Sequence, residues 1–140
     1  MNVKEYKAYL KLKSTPRYHE QHEHKIQSSF FRSLALFRTR HPAIPLIHAI
    51  PNGGKRNIKT AKMLKAEGVK AGIPDVFVPC PNDEWAGLYL EFKAPGNSQT
   101  KEQLSVGESL TKQGYLVYVC YSADEALRVL GAYINVKLID

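Results

Sequence analysis

Cysteine is scarce in this chain, which carries only Cys80 and Cys120. Each ends an apolar run, and neither belongs to a CxxC pair that could clamp a metal. Both read as reduced, buried small hydrophobes. No apolar run approaches the length a bilayer requires, and "MNVKEYKAYLKLKS" lacks the continuous apolar stretch of a signal peptide. A soluble, cytoplasmic protein with no membrane partner is therefore expected. The spacing GxxxxGK[ST] is missing, which argues against a nucleotide cofactor. Internal repeats, low-complexity tracts and linkers are also lacking, so residues 1–140 read as one domain.

Acidic residues are few in the first half. Residues 1–70 hold 15 Lys and Arg against 4 Asp and Glu, whereas residues 71–140 hold 5 against 9. A strongly basic half beside an acidic one suggests a polyanion surface near a cation-binding site. Charge alone also serves solubility, so the pattern does not by itself fix a function.

The first 20 residues are basic and weakly patterned, and read as an arm or a short helix ahead of a core spanning about residues 21–134. In "HEHKIQSSFFRSLALFRTR", Ile26, Phe30, Phe31, Leu34 and Phe37 recur at helical spacing. "LIHAI" reads as a short strand and "PNGGKR" as a glycine-rich turn. "NIKTAKMLKAEG" predicts a helix capped by Asn57, with Ile58, Ala61 and Leu64 on one face. Val76–Cys80 and Leu88–Phe92 read as an antiparallel hairpin-like pair. A helix follows, opened by Thr100 and Gln103 in capping-box spacing, then the strand "YLVYVCY", then a helix opened by Ser122 and Glu125. The expected fold is α/β, with a mixed four-stranded sheet flanked by helices.

Two charged spots break the apolar strands. Asp75 follows a Gly-Ile-Pro turn directly before "VFVP", and Glu91 and Lys93 interrupt "LYLEFKAP". Side chains alternate along a strand, so Glu91 and Lys93 share a face while Phe92 packs on the other. If the two strands pair, Asp75 and Glu91 approach each other, and two close carboxylates repel unless a cation lies between them. Hard oxygen ligands with open positions suit Mg²⁺ or Mn²⁺ better than zinc. Taken singly, Asp75 has a plain alternative as a turn residue, and Glu91 with Lys93 as a surface ion pair.

An Asp followed about 16 residues later by Glu-x-Lys, here Pro74-Asp75 and Glu91-Phe92-Lys93, resembles the PD-(D/E)xK nuclease superfamily. The ordered series "PNGGKR", "AGIPDVFVP", "YLEFKAPGNSQTKEQ" and "GYLVYVCYSADEA" is similar to its virus-type replication-repair nuclease (VRR-NUC) branch, from about His22 to about Glu125. The resemblance implies a restriction-endonuclease-like core. It implies a helix carboxylate completing the metal site, matched by Glu23 with Gln27 one turn on, and Glu20 as the competing candidate. It further implies the Phe92 carbonyl as an extra metal ligand and Gln103 near the active site; Gln103 reads equally well as the partner that caps Thr100, and both roles can hold together. Lys93 would orient the attacking water.

On that reading Asp75, Glu91, Lys93, Glu23 and Gln103 are the candidate catalytic residues, with Mg²⁺ or Mn²⁺ held by Glu23, Asp75, Glu91 and Phe92. Asn52, Gly53, Gly54, Lys55, Arg56, Lys59 and Lys62 are the candidate duplex-backbone contacts, against the alternative of a solvated helix face. "YHEQHEH" does not fit the HExxH metal pattern and has no second ligand pair elsewhere. No aromatic-basic interleaving of the single-strand-binding type is apparent, so a stacking platform is disfavoured. The resemblance implies a homodimeric DNA endonuclease acting on branched DNA in the manner of Holliday-junction resolvases, in a phage-infected or bacterial cell. A non-catalytic nucleic-acid-binding module on the same fold, and a nuclease for linear, single-stranded or RNA substrates, are the alternatives.

Overall fold

The computed structural model describes residues 2–13, 15–51 and 57–140. The order is α1 (Val3–Lys13), α2 (Pro16–Leu36), a 3-10 turn (Ile44–Leu46), β1 (His48–Ala49), α3 (Ile58–Ala66), β2 (Val76–Val78), β3 (Gly87–Phe92), α4 (Lys101–Lys112), β4 (Tyr115–Cys120) and α5 (Ala123–Ile134). The strands form one mixed sheet in the order β1-β2-β3-β4. β1 and β3 both run antiparallel to β2, and β3 runs parallel to β4. The antiparallel β2–β3 join is a short loop and the β1–β2 join carries α3, whereas the parallel β3–β4 join needs α4 as its crossover.

Strand alternation divides the sheet into two unlike faces. Val76, Val78, Leu88, Leu90, Phe92 and Cys120 enter the core, where Ile26, Phe30 and Leu34 of α2 and Leu127, Leu130 and Ile134 of α5 meet them. The Phe30 and Phe92 rings lie 5.6 Å apart, which ties α2 to the centre of the sheet. On the opposite face α4 lies over β4, with Gly107 facing Val117. That face also carries a cluster of Phe77, Tyr89 and Tyr115. Phe77 and Tyr89 are 4.6 Å apart between ring centroids. A Cβ on Gly87 would meet both Phe77 and Tyr115 at 3.0 Å, so glycine is what lets the rings close over the strand.

The helix before the core begins earlier than its apolar spacing predicts. Thr15 caps α2 through Tyr18 N and Pro16 occupies the first turn, where its missing N–H costs nothing. Ahead of it, Asn2 and Glu5 bond reciprocally and start α1, so the basic N-terminal stretch is helical over 3–13. "LIHAI" forms only the two-residue β1, because Ile44–Leu46 turns in a 3-10 helix with Pro45 inside it. α3 is capped by Asn57 as expected, yet it has no buried residue and Ile58 is 75% exposed. Its apolar stripe is not a core face.

Both downstream helices are capped as their sequences predict, with one difference. Thr100 and Gln103 form the full reciprocal box. Ser122 accepts from Glu125 N, but the Glu125 carboxylate reaches Tyr121 N. The core also extends past residue 134. Asn135 ends α5 in the left-handed region (φ 56°), and the chain folds back to bury Leu138. Val136 N bonds to Gly131 O at 2.9 Å, and a Cβ on Gly131 would lie 2.6 Å from Val136 O. Gly131→Ala gains roughly 1 kcal/mol in helix propensity. It forces a backbone clash costing about 1–3 kcal/mol. Net destabilisation is therefore expected in urea unfolding, and a more stable variant would show that the tail does not dock on α5.

Candidate active site

Pro74 and Asp75 sit where the β2–β3 ladder stops. The register pairs Val76 with Leu90, and one further step sets Asp75 opposite Glu91. The next position on that side is Pro74, which has no N–H to continue the ladder. The Asp75 carboxylate takes over instead, with Oδ2 accepting from Phe92 N at 2.7 Å. Asp75 is thus fixed by a backbone bond 17 residues away in sequence. Its own carbonyl accepts from Ile50 N at 2.7 Å, so β1 is tied to the same point.

Glu91 is only 2% exposed. Its Oε1 accepts from Gln103 Nε2 at 3.2 Å, while among the described residues no donor reaches Oε2. Burial, reinforced by the neighbouring Asp75, pushes the Glu91 carboxyl up to about 9. Asp75 is raised as well, again chiefly by burial, with the Phe92 N–H pulling against that shift. The two groups therefore titrate as an interacting pair rather than independently, with Asp75 adding to the burial that raises Glu91. Lys93, 5% exposed, draws both carboxyls back down through its charge. Its backbone is locked into the sheet edge by Lys93 N bonding to Cys120 O at 3.0 Å.

α2 supplies the third carboxylate. Glu23 Oε1 accepts from Ala94 N at 3.1 Å and from Asn97 Nδ2 at 2.8 Å, and its charge raises both Asp75 and Glu91. Glu20 instead faces His24 at 3.8 Å near the surface. Gln103 holds both positions that its sequence allows: its Oε1 accepts from Thr100 N at 2.9 Å while its Nε2 donates to Glu91. Asn97 was not singled out from sequence. Its contact with Glu23 spans 74 positions, and only the "APGNSQ" turn after Glu-x-Lys hints at it. Phe92 contributes its N–H to Asp75 and its ring to the core.

The backbone-contact candidates divide in two. Lys59 and Lys62 are exposed on α3, whereas Asn52, Gly53, Gly54, Lys55 and Arg56 lie outside the described residues. Among the described residues no group of three or more His, Cys, Asp or Glu side chains is placed to hold a metal ion, the histidine-rich start of α2 and the set Asp75, Glu91 and Glu23 included. The donor set nonetheless fits a hard cation that keeps several of its own waters. Asp75 and Glu91 offer paired oxygens, and the buried Glu91 Oε2 lacks a donor that a cation would replace.

A pH dependence follows from the raised Glu91. Its folded value lies above the ordinary 4.5, so the stability it contributes is complete below about 4.5 and is lost as pH rises through about 9. Thermal melts of the metal-free protein should therefore fall across that window, and Glu91→Gln should flatten the slope. Mg²⁺ or Mn²⁺ should raise the melting temperature most at the alkaline end. An unchanged slope in Glu91→Gln would show that the proton is held elsewhere.

Comparisons with known proteins bear on this geometry. A family model described as the VRR-NUC domain matches residues 19–124. A solved structure described as a VRR_NUC domain protein is 30% identical, covering 84% of this chain and 90% of its own, with a TM-score of 0.64. A search of curated proteins finds no match. The matched segment contains Asp75, Glu91, Lys93, Glu23 and Gln103 together, and the chain belongs to the VRR-NUC domain family, a family of nucleases.

Proposed function

We propose that this protein is a divalent-metal-dependent DNA endonuclease, selective for branched DNA and acting as a homodimer whose two sites face opposing strands. The observation that carries the reading is the buried Asp75–Glu91 pair, in which Glu91 Oε2 has no donor among the described residues. A binding module would gain nothing from burying two carboxylates opposite a polyanion. Asp75, Glu91, the Phe92 carbonyl and Glu23 are the proposed holders of Mg²⁺ or Mn²⁺. When bound, such an ion polarises the scissile phosphate and lowers the pKa of a coordinated water.

The chain's own residues do the rest. Lys93 orients the attacking water and offsets negative charge that builds on the phosphate oxygens. Gln103 fixes the Glu91 carboxylate through Oε1, leaving Oε2 as its free donor position. Asn97 holds Glu23 at the end of β3. Lys59 and Lys62 neutralise backbone phosphates, with Asn52, Gly53, Gly54, Lys55 and Arg56 as further proposed contacts.

The deciding experiment is cleavage of a labelled four-way DNA junction beside matched linear duplex and single strand, with Mg²⁺, Mn²⁺ or chelator. Metal-dependent nicking near the branch, lost in Asp75→Ala, is expected. No cleavage of any substrate by folded wild-type protein would sink the enzymatic reading. Asn97→Ala should raise the cation concentration needed for half-maximal cleavage by about 10-fold while the fold persists. An unchanged requirement would mean that Glu23 needs no such orientation.

A further inference from the structure

α1 exposes large apolar side chains along one side. Val3 is 73%, Tyr6 53%, Tyr9 40% and Leu10 48% exposed, and at 100° per residue these four occupy one arc of the helix. Lys4, Lys7 and Lys11 fall on the adjoining arc. The Tyr6 and Tyr9 rings lie near-parallel, 26° apart in plane and 6.4 Å between centroids. Glu5, the only acid of the helix, is used in the cap at Asn2. The helix therefore presents rings edged by cations, an interleaving already present in "KEYKAYLK" that overturns the expectation of no stacking platform.

Its position gives the pattern a direction. α1 joins α2 through Thr15, and Tyr9 precedes Glu23 by 14 residues, so the two lie no more than roughly 25 Å apart along the chain's path. A few nucleotides cover that distance.

We propose that α1 binds an unpaired DNA strand leading into the carboxylate site, with bases stacking on Tyr6 and Tyr9 and phosphates met by Lys4, Lys7 and Lys11. This rests on the nuclease reading and adds, among its branched substrates, a preference for those that carry a single-stranded arm. Base–aromatic stacking tolerates any sequence, and a cationic edge tracks the backbone. A second copy of the same helix is the weaker occupant, because like-charged lysine arcs would face each other across a two-fold axis.

The test is fluorescence anisotropy of a labelled oligothymidine of about 20 nucleotides, with the full chain in an Asp75→Asn background so that nothing is cut. Tyr6→Ala with Tyr9→Ala should weaken binding by about tenfold or more. Tyr6→Phe with Tyr9→Phe should retain it. Lys4→Gln with Lys7→Gln should flatten the dependence of log affinity on log salt by about 0.7 per lysine. Both rings are exposed, so the alanine variant should fold normally, as circular dichroism would verify. The proposal is overturned if the oligothymidine does not bind, or if the alanine pair binds it as well as its parent does. It is equally overturned if that pair instead loses self-association in sedimentation, or affinity for phosphatidylserine vesicles, with oligothymidine binding intact. The two readings separate cleanly. If the wild type cuts nothing but the alanine pair loses binding, the surface stands and the nuclease falls. If the wild type cuts and the alanine pair binds normally, the reverse holds.

Discussion

Placing the Glu91 carboxylate opposite Asp75 in a nearly water-free position costs free energy twice, once for desolvation and once for like-charge repulsion, and the neighbouring elements are arranged around those costs. Each offset comes from a different part of the chain. The Phe92 N–H on β3 holds Asp75; α4 brings the Gln103 amide to Glu91; and the residue after β3 brings the Lys93 charge two positions on. No single element could hold Glu91 there alone. The apolar core beneath, with Phe30 against Phe92, supplies the rigidity that keeps the pair from simply moving apart into water.

The same strand explains why core and site do not interfere. With a side-chain period of two, Leu88, Leu90 and Phe92 serve the core while Tyr89, Glu91 and Lys93 serve the opposite face. A slip of one residue in the β2–β3 register would exchange the two sets and bury both charges among α2 and α5. Pro74 and the Asp75 bond to Phe92 N end the ladder at one defined place, so the register and the site are fixed by the same residues. Lys93 N bonding to Cys120 O does the equivalent on the β4 side.

How much of this is legible in sequence depends on how local the cause is. Asp75, Glu91 and Lys93 announce themselves because charge inside an apolar strand is costly wherever it lies. The hairpin-like pairing and the Thr100–Gln103 box are equally local, and the structure has both. Asn97 is not local: nothing near it in sequence points to Glu23. Periodicity identified α3 but not its exposure, because an apolar stripe states which residues share a face and not whether anything covers it. At the N-terminus the failure runs the other way. The Asn2–Glu5 box and Thr15-Pro16 were readable signals, yet α1 has no core-facing stripe and a search led by hydrophobic periodicity passes over it.

The uneven charge acquires a spatial meaning from the fold. α1, α2 and α3 come from the basic half, whereas β2 and β3 bring Asp75 and Glu91 from the acidic one. Glu23 is the exception, an acid within the basic half, and it is the one whose charge reaches the other two. On the proposed reading this division solves a conflict. Three carboxylates repel the phosphate they must act on, and burial of Glu91 keeps that repulsion from being screened as it would be in water. Exposed lysines on α1 and α3 attract the same backbone at distances where the carboxylates, once neutralised by a cation, contribute little. Attraction can then be broad and tolerant of sequence, while the chemistry stays confined to the point where the two halves meet.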